Sequence, residues 1–200
     1  MCQFIETIRI EEGVVCNLAY HNRRMNETRT ALFGPLPPLD LSDYITAPDN
    51  KGRIKCRVVF REKIEEITYA PYTVRGIKSL QLVHSDTIDY HLKSTNRDML
   101  NNLFSQRCGH DDVLIVKNGL LTDTSFTNIA LFDGEKWYTP STPLLEGTQR
   151  AYLLDQGLIA IKQIDVEDLY SYRQVALFNA MIPFGELMLN TENIFQTGSL

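Results

Sequence analysis

Three short segments of this 200-residue chain contain residue types that suit the binding of a small charged group. The first is His91-Leu-Lys-Ser-Thr-Asn-Arg97, which places Lys93 at a junction between two predicted lobes. A lysine shielded from water can become a Schiff-base nucleophile, because burial favours its uncharged amine. A surface lysine is the more common occurrence, and the residues alone leave both interpretations open.

The second and third segments each have a plain structural explanation beside a chemical one. Glu146-Gly-Thr-Gln-Arg150 opens a predicted helix, whose first backbone N–H groups and dipole suit a phosphate. An ordinary helix cap explains the same residues more simply. Phe178-Asn-Ala-Met181 follows a predicted buried strand, and Asn179 is polar where that pattern favours an apolar residue. Its amide either contacts a ligand or closes a turn, and the turn is the simpler interpretation.

Composition and motif searches exclude several functional classes. A net charge of −5 argues against nucleic acid as the main partner, since phosphate binding needs an excess of Lys and Arg. No apolar run approaches a membrane span, and the acidic N-terminus is unlike a signal peptide, so we predict a cytoplasmic protein that does not bind membranes. Four scattered cysteines predict reduced, mostly buried thiols. The four histidines lack a metal-ligand spacing, so we predict structural or surface roles and no metal.

The hydrophobic pattern predicts an α+β fold with a small N-terminal lobe over 1–86 and a larger lobe over 87–200. In the first lobe we expect a helix over 18–32 that Asn17 caps, and strands over 3–10, 53–60, 64–72 and 79–84. In the second lobe we expect helices over 95–106 and 147–155, strands over 113–116, 127–132, 136–139, 159–164 and 175–180, and a hairpin turn at Asn118-Gly119.

Read in order, these segments resemble the class IV aminotransferase family of pyridoxal-phosphate enzymes over nearly the whole chain. The segment at 93–97 is similar to the K-x-x-N-R of the family's lyase branch, and 179–183 to its N-A-L-M-P. Phe4-Ile-Glu-Thr-Ile-Arg9 is similar to the family's F-x-E-T-x-R, and His21-Asn-Arg-Arg24 to its H-x-x-R. The segment from Asp123 to Asn128 stands where the family has E-x-x-x-x-N, and it is followed by Tyr138-Thr-Pro140 and Leu145-Glu-Gly147, which also resemble family segments.

The resemblance implies a two-lobed fold with pyridoxal 5'-phosphate in the cleft between the lobes, and a homodimer. Lys93 would bind the cofactor covalently and then act as the acid and base that moves the proton of a small-molecule amine substrate. Asp123 would hold the pyridine nitrogen protonated. The phosphate would be held by Arg24, by the backbone N–H groups of Thr148 and Gln149, and by Asn179 and Ala180, while Leu145 would pack on the pyridine ring.

The lyase-like motifs imply release of pyruvate from 4-amino-4-deoxychorismate, which forms 4-aminobenzoate for folate biosynthesis. A transaminase of branched-chain or D-amino acids is the first alternative, and a non-catalytic relative the second. Two departures from the family pattern bear on this choice. Asp123 stands where the family has Glu, one methylene longer, and the chain begins almost at its first motif, which implies a form shortened at the N-terminus.

Overall fold

A computed structural model of the protein describes residues 2–47 and 52–196. The chain divides into two units, one formed by Met1–Val74 with Leu92–Asn96 and the other by Arg75–His91 with Arg97–Leu200. Each unit combines helix with sheet, so the prediction of an α+β fold is confirmed. Short 3-10 helices complete the elements, at Leu41–Asp43 in the first unit and at Val166–Ser171 and Thr191–Asn193 in the second.

The first unit is a four-stranded antiparallel sheet with a long helix. The sheet has the order β2-β1-β3-β4, from strands Phe4–Glu11 (β1), Val14–Val15 (β2), Arg53–Phe60 (β3) and Ile64–Pro71 (β4), and the helix is Leu18–Phe33 (α1). Alternate residues of β1 are buried, as a strand with one face on a core requires. The core contains Phe4, Ile8, Ile10, Met25, Leu41, Ile54, Cys56, Val58 and Phe60.

The predicted helix is confirmed almost to the residue, but its predicted cap is wrong. Asn17 occupies the N-cap position with φ 53° and ψ 31°, and its side chain makes no capping bond. An N-cap side chain reaches the first turn from extended backbone, and the left-handed conformation aims it elsewhere.

The prediction of mostly buried thiols is also wrong, because only Cys56 is buried and both Cys2 and Cys108 are exposed.

The described residues of the second unit form two sheets and two α-helices besides the 3-10 helices given above. One sheet has the order β13-β5-β6-β7 and the other β10-β9-β8-β11-β12. The strands are Leu80–His84 (β5), Asp112–Lys117 (β6), Leu120–Thr124 (β7), Asn128–Phe132 (β8), Trp137–Pro140 (β9), Ala160–Lys162 (β10), Gln174–Phe178 (β11), Met188–Asn190 (β12) and Ile194–Phe195 (β13), and the helices are Asp98–Ser105 (α2) and Thr148–Asp155 (α3).

A tight turn joins β6 to β7 where the sequence predicts it. Asn118 and Gly119 both have positive φ, 52° and 76°, which right-twisted strands require of a two-residue hairpin. Strand β7 then carries the chain to Asp123, so this turn determines where that carboxylate enters the unit.

Among residues 2–47 and 52–196, no helix is both long and apolar enough to cross a membrane.

Candidate active site

In the first unit, a buried carboxylate joins β1 to the first two turns of α1. Glu6 takes one of the inward positions of β1, and its side chain is 1% exposed. Arg24 donates from Nε to Glu6 Oε1 at 2.8 Å and from Nη2 to Oε2 at 2.6 Å. His21 Nδ1 lies 2.6 Å from the same Oε2. Because residues 21 and 24 are three apart on a helix, both side chains reach the strand from one face.

Opposing effects decide the charge of this buried cluster. Burial raises the pKa of Glu6, but Arg24 and His21 outweigh it and lower that pKa to about 2. Burial, together with the positive charges of Arg24 and Lys93, lowers the pKa of His21 although Glu6 raises it. We therefore assign an ionised Glu6 and a neutral His21 whose Nδ1–H donates a hydrogen bond to Glu6 Oε2. The negative charge of Glu6 is balanced by the Arg24 guanidinium, which is mostly buried.

Lys93 lies near this cluster because its backbone pairs with the start of β1. Its carbonyl accepts a hydrogen bond from Ile5 N at 2.9 Å, and Thr95 N donates to Gln3 O at 2.9 Å. The side chain is half-buried, and its positive charge contributes to lowering the pKa of His21. Two of the predicted site residues, Arg24 and Lys93, are therefore brought to the same carboxylate–imidazole pair.

In the second unit, the buried carboxylate of Asp123 accepts hydrogen bonds from two donors. Asn128 Nδ2 donates to its Oδ1 at 2.9 Å and Leu145 N donates to its Oδ2 at 2.9 Å. Burial raises the pKa of Asp123 to about 6, and these hydrogen bonds offset only part of the effect. Leu145 packs at the edge of a buried apolar cluster. Two further predicted residues are thus in direct contact.

The helix α3 begins immediately after this contact. Gly147 is its N-cap in extended conformation and, as a glycine, has no side chain with which to cap the helix, and Thr148 and Gln149 are buried. The predicted helix start is confirmed. That the backbone N–H groups of Thr148 and Gln149 bind a phosphate stays a prediction.

Gly147 also leaves room for the amide that holds Asp123. A Cβ at this position would collide with Oδ1 of Asn128, whose Nδ2 bonds both Asp123 and Leu145 O. We expect Gly147→Ala to lower the free energy of unfolding by about 2 kcal/mol, because the amide must be displaced. Urea denaturation measures this, with Gly76→Ala as the control, since a Cβ there meets nothing within 4 Å. Equal effects in the two variants would contradict the assignment.

Asn179 lies in the turn after β11 rather than within the strand. Its Oδ1 accepts from Met181 N at 2.8 Å and Ile182 N at 3.0 Å, and its Nδ2 donates to Phe126 O at 3.1 Å. Phe126 belongs to the loop between Asp123 and Asn128, so Asn179 connects its own turn to that loop. Ala180 is half-buried in the turn. A role of these two residues toward phosphate stays a prediction.

Sequence reasoning missed three residues that shape the site. Glu6 and His21 were identified only as members of the family motifs. Glu6 falls among the alternating buried positions of β1, and an acidic residue at such a position indicates a buried ion pair. Arg150 is 5% exposed and donates to Thr139 Oγ1 at 3.2 Å and Pro140 O at 2.9 Å. Its charge slightly lowers the pKa of Asp123. Nothing in its local sequence distinguishes it from a surface arginine.

Comparison with known families gives one model that matches residues 57–186, described as Amino-transferase class IV. An uncharacterized protein of Haemophilus influenzae is 35% identical over 185 residues, which cover 90% of this chain and 98% of the relative. The aminodeoxychorismate lyase of Saccharomyces cerevisiae is 40% identical over 73 residues, 33% of this chain and 20% of that protein.

Solved structures resemble the chain over most of its length. The crystal structure of a Haemophilus somnus protein, proposed to be a 4-amino-4-deoxychorismate lyase, is 34% identical with a TM-score of 0.84, and the match covers 92% of this chain and 98% of that one. A hypothetical aminotransferase from Mycobacterium tuberculosis in its PLP-bound form has a TM-score of 0.73 at 16% identity. This match covers 98% of this chain and 84% of the aminotransferase chain. The second likeness shows a shared fold.

Proposed function

This chain belongs to the class IV aminotransferase family of enzymes, and from that premise we propose that it uses pyridoxal phosphate to release pyruvate from 4-amino-4-deoxychorismate, forming 4-aminobenzoate. The observation that carries the proposal is the 34% identity, over 92% of the chain, to a protein proposed to have this activity. The match to the yeast lyase supports the same choice over a third of the chain.

The residues present fit this cofactor by their chemistry. Bound pyridoxal phosphate supplies an electron-withdrawing ring that stabilises negative charge on the carbon next to the substrate nitrogen. In the first unit, Lys93 would bind it covalently and Arg24 would pair with its phosphate. In the second unit, Asp123 offers a carboxylate held by two donors, and α3 offers a helix start with a glycine at the N-cap position. Thr148, Gln149, Asn179 and Ala180 would complete the phosphate contacts, with Leu145 against the ring.

The chain's own part in the reaction is mainly proton movement and orientation. Lys93, once deprotonated, would remove the proton from the ring carbon that bears the amine. The bond from the neighbouring ring carbon to the enolpyruvyl oxygen then breaks, which leaves an aromatic ring. The departing enolpyruvate takes up one proton and becomes pyruvate, so the two products together have the composition of the substrate. Aromatisation favours the step, and the protein needs above all to orient the substrate.

Asp123 provides a test in which stability and function change in opposite directions. Because its pKa is raised to about 6 in the folded protein, its contribution to stability is full below about pH 4 and is lost as pH rises through 6. We expect Asp123→Asn to match the unaltered protein at pH 4 and to exceed its free energy of unfolding at pH 8 by up to about 3 kcal/mol.

The same substitution should remove the negative charge opposite the pyridine nitrogen. We expect turnover to fall by roughly a hundredfold or more, and pyridoxal phosphate to bind more weakly. Denaturation at the two pH values, cofactor titration by absorbance and steady-state kinetics measure these effects. A variant that gains stability and keeps full turnover would show that Asp123 has no role toward the ring.

The direct test supplies 4-amino-4-deoxychorismate to the enzyme loaded with pyridoxal phosphate. We expect 4-aminobenzoate and pyruvate to form in equal amounts, measured by fluorescence and by a lactate dehydrogenase couple. The alternative is a transaminase of branched-chain or D-amino acids, and it predicts amino transfer to 2-oxoglutarate or pyruvate. Transfer without 4-aminobenzoate would reject the lyase proposal while leaving the cofactor assignment intact.

A further inference from the structure

A pocket of the second unit is lined by two arginines and two aromatic rings. It has a volume of about 330 Å³, near the lower end for small-molecule sites. It is formed by the segment before β5, by α2 with the residue that precedes it, and by the loop after β7. Its lining residues are Arg75, Arg97, Asn101, Phe104, Ser125 and Phe126.

Both guanidinium groups are held in place by neighbouring groups. Arg75 lies over the rings of Phe104 and Phe126, with its Cζ 5.6 Å and 5.2 Å from the two ring centroids. Arg97 donates from Nη2 to Ser125 O at 2.7 Å, and its Cζ lies 5.6 Å from the centroid of Tyr90. Such contacts restrict long side chains before any ligand arrives, which lowers the entropy cost of binding.

The charges of the pocket suit a monoanion better than a dianion. The lining contains two cations and no carboxylate. Two acidic residues lie next to Arg75 but outside the lining. Asp112 is fully buried with Oδ2 3.7 Å from Arg75 Nη2, and Asp111 accepts from the backbone N–H groups of Lys78 and Ser79. They offset part of the arginine charge, so a second negative charge on a ligand would gain little.

From these contacts we propose that the pocket binds an aromatic carboxylate of about the size of benzoate. The carboxylate pairs with Arg75 and Arg97, since a planar guanidinium matches its two oxygens. The ring of the ligand packs against Phe104 and Phe126 in an offset or edge-on arrangement. Asn101 adds an amide for a polar substituent. This inference is independent of the proposed reaction, because it uses none of the residues assigned to the cofactor.

The test is a titration of the cofactor-loaded protein with 4-fluorobenzoate, followed by ¹⁹F NMR. We expect Arg75→Ala to weaken binding by roughly tenfold or more, because one charge-assisted contact is lost. Arg107→Ala is the matched control, since its Cζ lies 4.4 Å from the Phe104 ring but the residue does not line the pocket. Thermal unfolding confirms that both variants fold.

Three comparison probes determine which chemistry is recognised. 4-Fluorobenzamide lacks the charge, cyclohexanecarboxylate lacks the aromatic ring, and inorganic phosphate is an anion without any ring. We expect each to bind or compete at least about tenfold more weakly than 4-fluorobenzoate. Equal binding of any one of them would overturn the ligand class, and binding unchanged by Arg75→Ala would overturn the site. Binding of 4-fluorobenzoate at the proposed active site, whose product is also a para-substituted benzoate, would appear as a component that Arg75→Ala leaves unchanged, so the pocket is judged by the component that depends on Arg75.

Discussion

Replacement of Lys93 by alanine is expected to abolish turnover, with a loss of roughly a thousandfold or more. In the proposed function, Lys93 would supply both the amine that binds the cofactor and the base that moves the substrate proton. An alanine offers neither. The absorbance band that pyridoxal phosphate acquires on a lysine should disappear at the same time, whereas the protein should remain folded, since the Lys93 carbonyl keeps its bond to Ile5 N.

Lys55→Ala serves as the matched control for this prediction. Lys55 is also half-buried, and it lies on β3 of the same unit. Borohydride reduction followed by peptide mapping adds a measurement that does not depend on turnover. Label on Lys93 in the unaltered protein and none in the variant is the expected pattern. Label spread over surface lysines, together with unchanged turnover, would exclude Lys93 as the reactive amine.

The second large effect concerns the stability of the first unit. We expect Glu6→Gln to lower the free energy of unfolding at pH 7 by about 3 to 5 kcal/mol, because the mostly buried Arg24 guanidinium loses its counter-charge and His21 loses a charged hydrogen-bond acceptor. The pKa of Glu6 is lowered to about 2, so its contribution is present above about pH 4.5 and is lost as pH falls towards 2. The difference in free energy of unfolding between the two proteins should therefore shrink by about 2 kcal/mol between pH 7 and pH 3.

Glu11→Gln provides a control on the same strand. Glu11 also pairs with two arginines, Arg9 and Arg53, but its side chain is 34% exposed. Solvent screens such a pair, so the cost should stay below about 1 kcal/mol. Urea denaturation of both variants at pH 7 and pH 3 gives the comparison. If Glu11→Gln costs as much as Glu6→Gln, then burial does not determine the strength of these ion pairs.

Most elements were predictable because their signals are local. The alternation in β1, the Asn118-Gly119 turn and the glycine before α3 each depend on a few neighbouring residues, and all three are confirmed. The predicted helix over 95–106 begins only at Asp98, because residues 94 and 95 pair with the start of β1. That pairing partner lies some ninety residues earlier, beyond the reach of any periodicity argument.

The candidate site likewise contains a part that was predictable from local sequence and a part that was not. The types of Lys93, Arg24 and Asp123 were identified by motif, but their partners arise from contacts between distant segments. Asn128 and Leu145 meet Asp123 from five and 22 residues further along the chain. His21 illustrates the limit most clearly, because its sequence context allows a surface position and only the fold brings it within 2.6 Å of Glu6.

The return of residues 92–96 to the first unit has a consequence for synthesis on the ribosome. The chain leaves that unit after Val74, enters the second at Arg75, and comes back at Leu92 before leaving again. A nascent chain that has emerged only to Val74 therefore lacks the segment that pairs with residues 3–5, at the start of β1. At roughly 5–20 residues per second, the missing stretch takes about one to four seconds to be made. During that interval the start of β1 lacks the segment that contains Lys93, which is among the last residues added to the first unit.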